Sequence, residues 1–583
     1  MQRGTRVFLA LVLFLTAALG GMFALVYFTL SKPHVPTVPD DVWLEMRLTG
    51  AIIDQPPEQP LLLPGLRPPP MTFIDMRRAL QEARDDRRVK GVVLYLADVA
   101  VGWAMAQEIR VALQDFRQSG KKVMAYIENG GDREYYLALA ADEIYLAPEG
   151  TLYLNGLSLE AQFFKETLDK VGVTAEFYHV GEYKSAPDSY TRSSMSEPHK
   201  EVLNALADSL YKQTLTAMAD GRKLTVEESE AYINDFALAG PRLTEARVID
   251  GLKYFDQVME GLEAPGSRPE TMTLDDYFAS LSVPTPTGPK LAVLYVSGEI
   301  RSGESRPGGF NSSAAVGSDT LHDALADISE DSEVKGLLVR IDSPGGSALA
   351  ADLIWRDIMR YKEETQKPVV VSMSDLAASG GYWIATAGDH IVAQPGTLTG
   401  SIGVFFGRFN LQGLFDKVGY RIETVSRGKF ADMFNPNRPF TEAEVNKVNQ
   451  WLRTTYDSFL SRVAKARHIS PAEADAVARG RVWTGEQALT HKLVDTLGGV
   501  DEALKILREK AGVDGAGPVQ LQMYPQQDNL FDRLVSQLGM QSEAQGSTRT
   551  LQEAVQVWQM IRAQEEERTP EVQARLPFNL RID

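Results

Sequence analysis

The 583-residue chain contains no cysteine. That excludes a disulfide scaffold, a zinc–thiolate site, an iron–sulfur cluster and a cysteine nucleophile, and a chain without thiols is at ease in an oxidising compartment. Histidine is scarce, with seven residues, and no H-E-x-x-H motif occurs, so the usual zinc-hydrolase signature is missing. No metal or cofactor is expected. Positive charge is in deficit, with 60 Lys and Arg against 78 Asp and Glu and a net charge of −18. This argues against non-specific binding to nucleic acid or to an anionic membrane face. The G-x-S-x-G motif of the hydrolase nucleophile elbow is also absent. What remains is an ordinary globular composition, 44% hydrophobic and 24% charged. It excludes disorder for most of the length and leaves material for several domains, or two large ones.

Long apolar runs are lacking too, with one exception. Val7 to Leu30 is 24 residues without a charge. As a helix it would reach about 36 Å, enough to cross a hydrocarbon core with some tilt. Arg3 and Arg6 precede it, and only Lys32 follows before the proline-rich Pro33–Pro39 stretch. The positive-inside rule then predicts a cytoplasmic stub and transmembrane anchor over 1–40, with the rest of the chain outside the cytoplasm. A cleaved signal peptide would have an apolar region of about 7–15 residues, shorter than this one.

The chain repeats itself. Val89-Lys90-Gly91 recurs as Val334-Lys335-Gly336, Gly150-Thr151-Leu152 as Gly396-Thr397-Leu398, and Asp169-Lys170-Val171-Gly172 as Asp416-Lys417-Val418-Gly419. Asp142 and Ile144 match Asp389 and Ile391, and Tyr135 matches Tyr382, all at an offset of 245 to 247. A tandem duplication follows, with repeats over 41–262 and 290–512, a proline-rich connector over 263–289 around one short helix, and a Gln-rich tail over 513–583. In the tail, Leu551–Ala563 has the pattern of an amphipathic helix. Within each repeat, short apolar β-rich runs (Gly91–Leu96, Lys122–Ile127; Gly336–Ile341, Pro368–Met373) alternate with helical stretches. That pattern predicts an α/β unit with a parallel sheet covered by helices.

The two halves differ where chemistry could sit. The second reads Asp342-Ser343-Pro344-Gly345-Gly346-Ser347, then Ala377-Ala378-Ser379-Gly380-Gly381-Tyr382-Trp383; the first lacks the Pro-Gly-Gly and has Asp132 where Ser379 stands. Ser379 follows a strand and opens a helix. The N–H of Gly380, and one from Gly345-Gly346, could converge on a carbonyl oxygen, giving a serine and two donors suited to acyl transfer. The bland reading of the same residues is an N-cap and a turn. A serine needs a base. His390 reads as a structural residue at the start of a buried strand. Lysine serves only if desolvation keeps it neutral, and Lys184 and Lys429 stand at equivalent repeat positions.

Ser343-Pro344-Gly345-Gly346-Ser347, Ala377–Trp383, Leu398-Thr399-Gly400-Ser401-Ile402-Gly403-Val404 and Gly181-Glu182-Tyr183-Lys184-Ser185-Ala186 resemble the signal peptide peptidase A family, in its long tandem-repeat bacterial form (protease IV). The resemblance spans about residues 41–510. It implies a tandem duplication of a Clp-protease/crotonase-like ββα spiral unit. It implies Ser379 as nucleophile, Lys184 from the other half as general base, Gly346 and Gly380 as oxyanion-hole donors, and Ser401 as the residue orienting the lysine. Short family members take their lysine from the position of Lys429. The family further implies a homotetramer in the bacterial inner membrane, with an extracytoplasmic body that degrades signal-peptide remnants. Two other classes stand beside this one. A crotonase-like acyl-thioester enzyme would need a carboxylate base and would bind acyl-CoA. A non-catalytic membrane scaffold would react with no serine-directed probe.

Overall fold

The computed structural model describes residues 36–56, 70–235, 240–263, 267–281, 288–306, 308, 314–515, 517, 519–526, 573–575 and 581–582. The expected anchor Val7–Leu30 and the expected helix Leu551–Ala563 lie outside the described residues. Among the described residues no helix is long and apolar enough to cross a membrane.

Aliphatic runs build one parallel sheet in each half. In the first, Val42–Ala51, Val89–Ala100, Lys122–Ile127 and Glu143–Leu146 lie side by side in that order. In the second, Lys290–Ser297, Val334–Ser343, Val369–Ala378 and His390–Ala393 repeat it. Such strands are buried on both faces by helices, which is why their sequences are continuous rather than alternating. Tyr135 Oη donates to Val248 O at 2.9 Å and its counterpart Tyr382 to Leu493 O at 2.8 Å. The same tether thus anchors the same helix in both halves, and Glu197–Arg222 and Glu442–Arg467, 26 residues each, repeat the longest helix.

The connector and the tail are more than linkers. Glu270–Thr273 adds to the edge of the first sheet, parallel to Val42–Ala51, and Gln520–Tyr524 adds to the second sheet beside Lys290–Ser297. Their polar, Gln- and Thr-rich composition is what an edge strand tolerates and a periodicity search passes over.

The halves share a core. Leu291, Val293, Tyr295, Leu338, Val370 and Val392 of the second pack in one cluster with Leu44, Val92, Ile109 and Leu113 of the first. Polar groups cross the same boundary. The helix Trp103–Arg117 begins after Gly102, which has no side chain to cap it. Asp375 of the other half supplies the missing acceptor, taking the N–H of Gly102 at 3.1 Å and of Met105 at 2.9 Å. Glu108 in turn accepts the N–H of Val500 at 2.8 Å, at the start of the helix Val500–Lys510. Arg340, fully buried on the central strand of the second half, pairs with Asp54 at 2.8 Å and Glu108 at 2.7 Å. Finally, Thr174–Val180 leaves the first half and pairs antiparallel with Val404–Asn410 over seven residues. This last contact carries Lys184 across.

Candidate active site

Ser379 stands at the junction of the strand Val369–Ala378 and the helix Gly380–Ala385. Its backbone is at φ 57°, ψ −112°, held by its N–H to Gly400 O at 2.8 Å and its C=O from Trp383 N–H at 2.8 Å. A non-glycine residue costs about 1–3 kcal/mol in such a conformation, and it persists because the surroundings impose it. Ser379→Gly is therefore expected to be more stable than Ser379→Ala by about 1 kcal/mol or more, read as a higher urea midpoint. Equal midpoints would mean the turn stores no strain.

Lys184 follows directly on the crossing strand. Its stretch runs backbone to backbone against Arg479 and Gly480: Tyr183 N–H donates to Arg479 O at 2.9 Å, and Gly480 N–H to Ile402 O at 2.8 Å. A side chain at Gly480, itself at φ +83°, would put Cβ 2.5 Å from Lys184 N, so glycine is required for the three segments to cross. Lys184 Nζ then lies 2.8 Å from Ser379 Oγ, 2.9 Å from Ser401 Oγ and 3.0 Å from Ser401 O. All three residues are fully buried. Burial drives the lysine pKa well below its usual 10.5. A neutral amine has a lone pair that can accept a proton from a hydroxyl at 2.8 Å.

Gly346 lies in the short strand Gly345–Ser347, where any Cβ would sit 1.9 Å from Ile300 O. Gly380 is the first residue of its helix, so its N–H has no acceptor within that helix. The other sequence candidates fall elsewhere. Lys429 is exposed, its Nζ 5.3 Å from the ring of its own neighbour Phe430. His390 Nε2 sits 2.8 Å from Thr496 Oγ1 in the sheet. In the first half, burial pushes Asp132, the counterpart of Ser379, up to about 6. There Glu134 fills the turn, accepting the N–H of Val99 at 2.8 Å and of Gly131 at 2.9 Å. Acidic side chains stand where the second half has Ser379 and Gly381.

Arg340 and Asp375 join the two halves beside the site, and the sequence pattern marks them unequally. Arginine in the otherwise apolar run Gly336–Ile341 was a usable signal, since such a charge must be paired. Asp375, four residues before Ser379, carries no signal of its own, because the N–H groups that donate to it lie in the other half.

A model of peptidase family S49 matches residues 115–266 and 361–514. The chain belongs to that family. Among S49 relatives, the chloroplastic serine protease SPPA of Arabidopsis thaliana is 35% identical over 74% of this chain, which spans 64% of that protein. Protease 4 of Salmonella typhi is 33% identical over 76% of this chain and 72% of its own length. Among solved structures, ClpP1 from Listeria monocytogenes covers 36% of this chain and 91% of its own at 14% identity, with a TM-score of 0.22.

Proposed function

We propose that the chain is a membrane-anchored serine endopeptidase that degrades cleaved signal peptides through a Ser379–Lys184 dyad. The observation that carries it is the 2.8 Å contact between Lys184 Nζ and Ser379 Oγ in a fully buried setting. Neutral Lys184 takes the hydroxyl proton as Ser379 attacks the scissile carbonyl. The N–H groups of Gly346 and Gly380 hold the oxyanion. The amine returns the proton to the leaving nitrogen, and water hydrolyses the acyl-enzyme by the same route. Ser401 accepts two of the amine's hydrogens, and that fixes the lone pair toward Ser379. Each repeat is read as a Clp-protease/crotonase-type spiral, and Val7–Leu30 as the anchor holding the body, outside the cytoplasm, at the bilayer where apolar remnants lie.

A homotetramer belongs to the same reading. Residues 421–427 stand one repeat on from Thr174–Val180, yet they are exposed and form no strand, with Val425 85% and Ile422 45% exposed. The segment that pairs inside the chain in the first half thus offers itself to a second copy in the second. Val425→Lys is expected to lower the native mass in light scattering; an unchanged mass would remove this contact from the assembly.

Labelling with an active-site serine probe, with the adduct mapped by mass spectrometry, tests the chemistry. The expected result is one adduct, on Ser379, lost in Lys184→Ala and kept in Lys429→Ala. Loss only in Lys429→Ala would move the base, and no adduct in the native protein would favour the scaffold.

A further inference from the structure

The small sheet that bears Gly346 has a foreign strand in its middle. Its order runs Ala315–Gly317, Glu299–Arg301, Gly345–Ser347, Gln573–Arg575, Val404–Asn410, Thr174–Val180. The fourth member comes from the C-terminal tail, more than forty residues beyond Gln526 in the chain. It pairs antiparallel with both neighbours: Gly345 faces Arg575, Gly346 faces Ala574, Ser347 faces Gln573, and Phe405 also faces Gln573. Take the tail away, and two strand edges face each other across a gap one strand wide. Unpaired N–H and C=O groups on both sides of such a gap fit an extended peptide, which adds by backbone hydrogen bonds.

The tail touches the other half as well. Arg581–Ile582 pairs antiparallel with Leu159–Glu160. Leu159 packs in the apolar cluster containing Ala378, which precedes Ser379, and Tyr183, which precedes Lys184. One tail segment thus lies at the proposed oxyanion loop and the next beside the lysine and serine. The Arg575–Glu299 ion pair at 3.3 Å is half-exposed and adds little; the backbone pairing is the anchor.

We propose that Gln573–Arg575, with Arg581–Ile582, is a tethered peptide ligand of this slot, lying antiparallel to Gly345–Ser347 where an extended peptide substrate lies, and that substrate must displace it. The inference rests on the peptidase reading for its consequence in turnover, but not for the contact itself. Because ligand and slot share a chain, occupancy does not depend on protein concentration. If the slot is free one tenth of the time, the apparent KM is raised about tenfold.

Two full-length variants test this. Ala574→Pro removes a backbone N–H and fixes φ, which a strand paired on both sides does not tolerate. It is expected to speed amide exchange at Gly345–Ser347 and to lower KM for a short peptide substrate about tenfold with kcat unchanged. Phe405→Cys with Gln573→Cys places the chain's only two thiols on directly opposed residues. Oxidation is expected to lock the strand in and abolish turnover, and a reductant to restore it. Unchanged exchange in Ala574→Pro, an unmoved KM, or full turnover in the oxidised double variant would each overturn the proposal. Exchange that quickens in Ala574→Pro, in a protein that no serine probe labels, would sink the peptidase reading and leave the tail contact standing.

Discussion

Lys184→Met is expected to lower kcat/KM by a factor on the order of 10⁴–10⁶, the range seen when one member of a serine–base pair is removed. Methionine matches the buried length without the amine or its desolvation cost, so the fold should hold, with a urea midpoint no lower than the native one as the control. Ser379→Ala should cost as much, and the double variant no more than either alone, because the two act as a unit. Additive losses would mean that they serve separate steps. The native pH profile follows from burial. The Lys184 pKa lies well below 10.5, so kcat/KM should fall as pH drops through that lowered value. A limb near 10.5 would mark a solvated, unproductive lysine. The linked stability has a definite sign: between the lowered pKa and 10.5 the unfolded chain binds the proton and the folded one does not. Stability from this group therefore rises with pH across that window.

Arg340→Met is expected to destabilise the protein by about 3–5 kcal/mol, because Asp54 and Glu108 lose their common cation in a dry interior. Burial works against the charge on Arg340, but the two carboxylates outweigh it and its pKa is raised. Burial pushes Glu108 up to about 7 even with the arginine present. A carboxyl raised in this way favours the folded state below its unfolded pKa and loses that favour as pH rises through the folded value. The penalty of Arg340→Met should therefore grow from pH 5 to pH 8 and shrink on acidification. A second substitution, Glu108→Gln, should recover part of it at pH 8. Urea midpoints across that pH range measure it, and a penalty flat in pH would show that the cluster is wet. The guanidinium also donates to Ser372 Oγ at 2.8 Å and Ser374 Oγ at 3.1 Å, on the strand that leads to Ser379. Activity should fall along with stability.

The duplication was legible because both halves keep the same strand order and the same tyrosine tether, and so kept residues at one offset. The serine–lysine pairing is not visible in spacing, where Lys184 and Lys429 look alike; the motif resemblance favours Lys184, and the fate of the strand before each lysine sets the two apart in space. Thr174–Val180 finds Val404–Asn410 and is covered, whereas 421–427 pairs with no strand among the described residues and is exposed. Non-local pairing of this kind leaves no local pattern. The same holds for Asp375, whose carboxylate caps a helix 270 residues away. It holds also for Gln573–Arg575, three polar or small residues whose strand character comes wholly from the slot that receives them.

The order of the two side chains of the proposed dyad along the polypeptide has a consequence for how the protein is made. Ser379 comes 195 residues after Lys184. At translation rates of roughly 5–20 residues per second, about 10–40 s separate their synthesis. During that interval the nascent chain displays an amine with nothing to activate. With the proposed dyad assembled from one buried group per half, a chain that stops after the first half is expected to be inert.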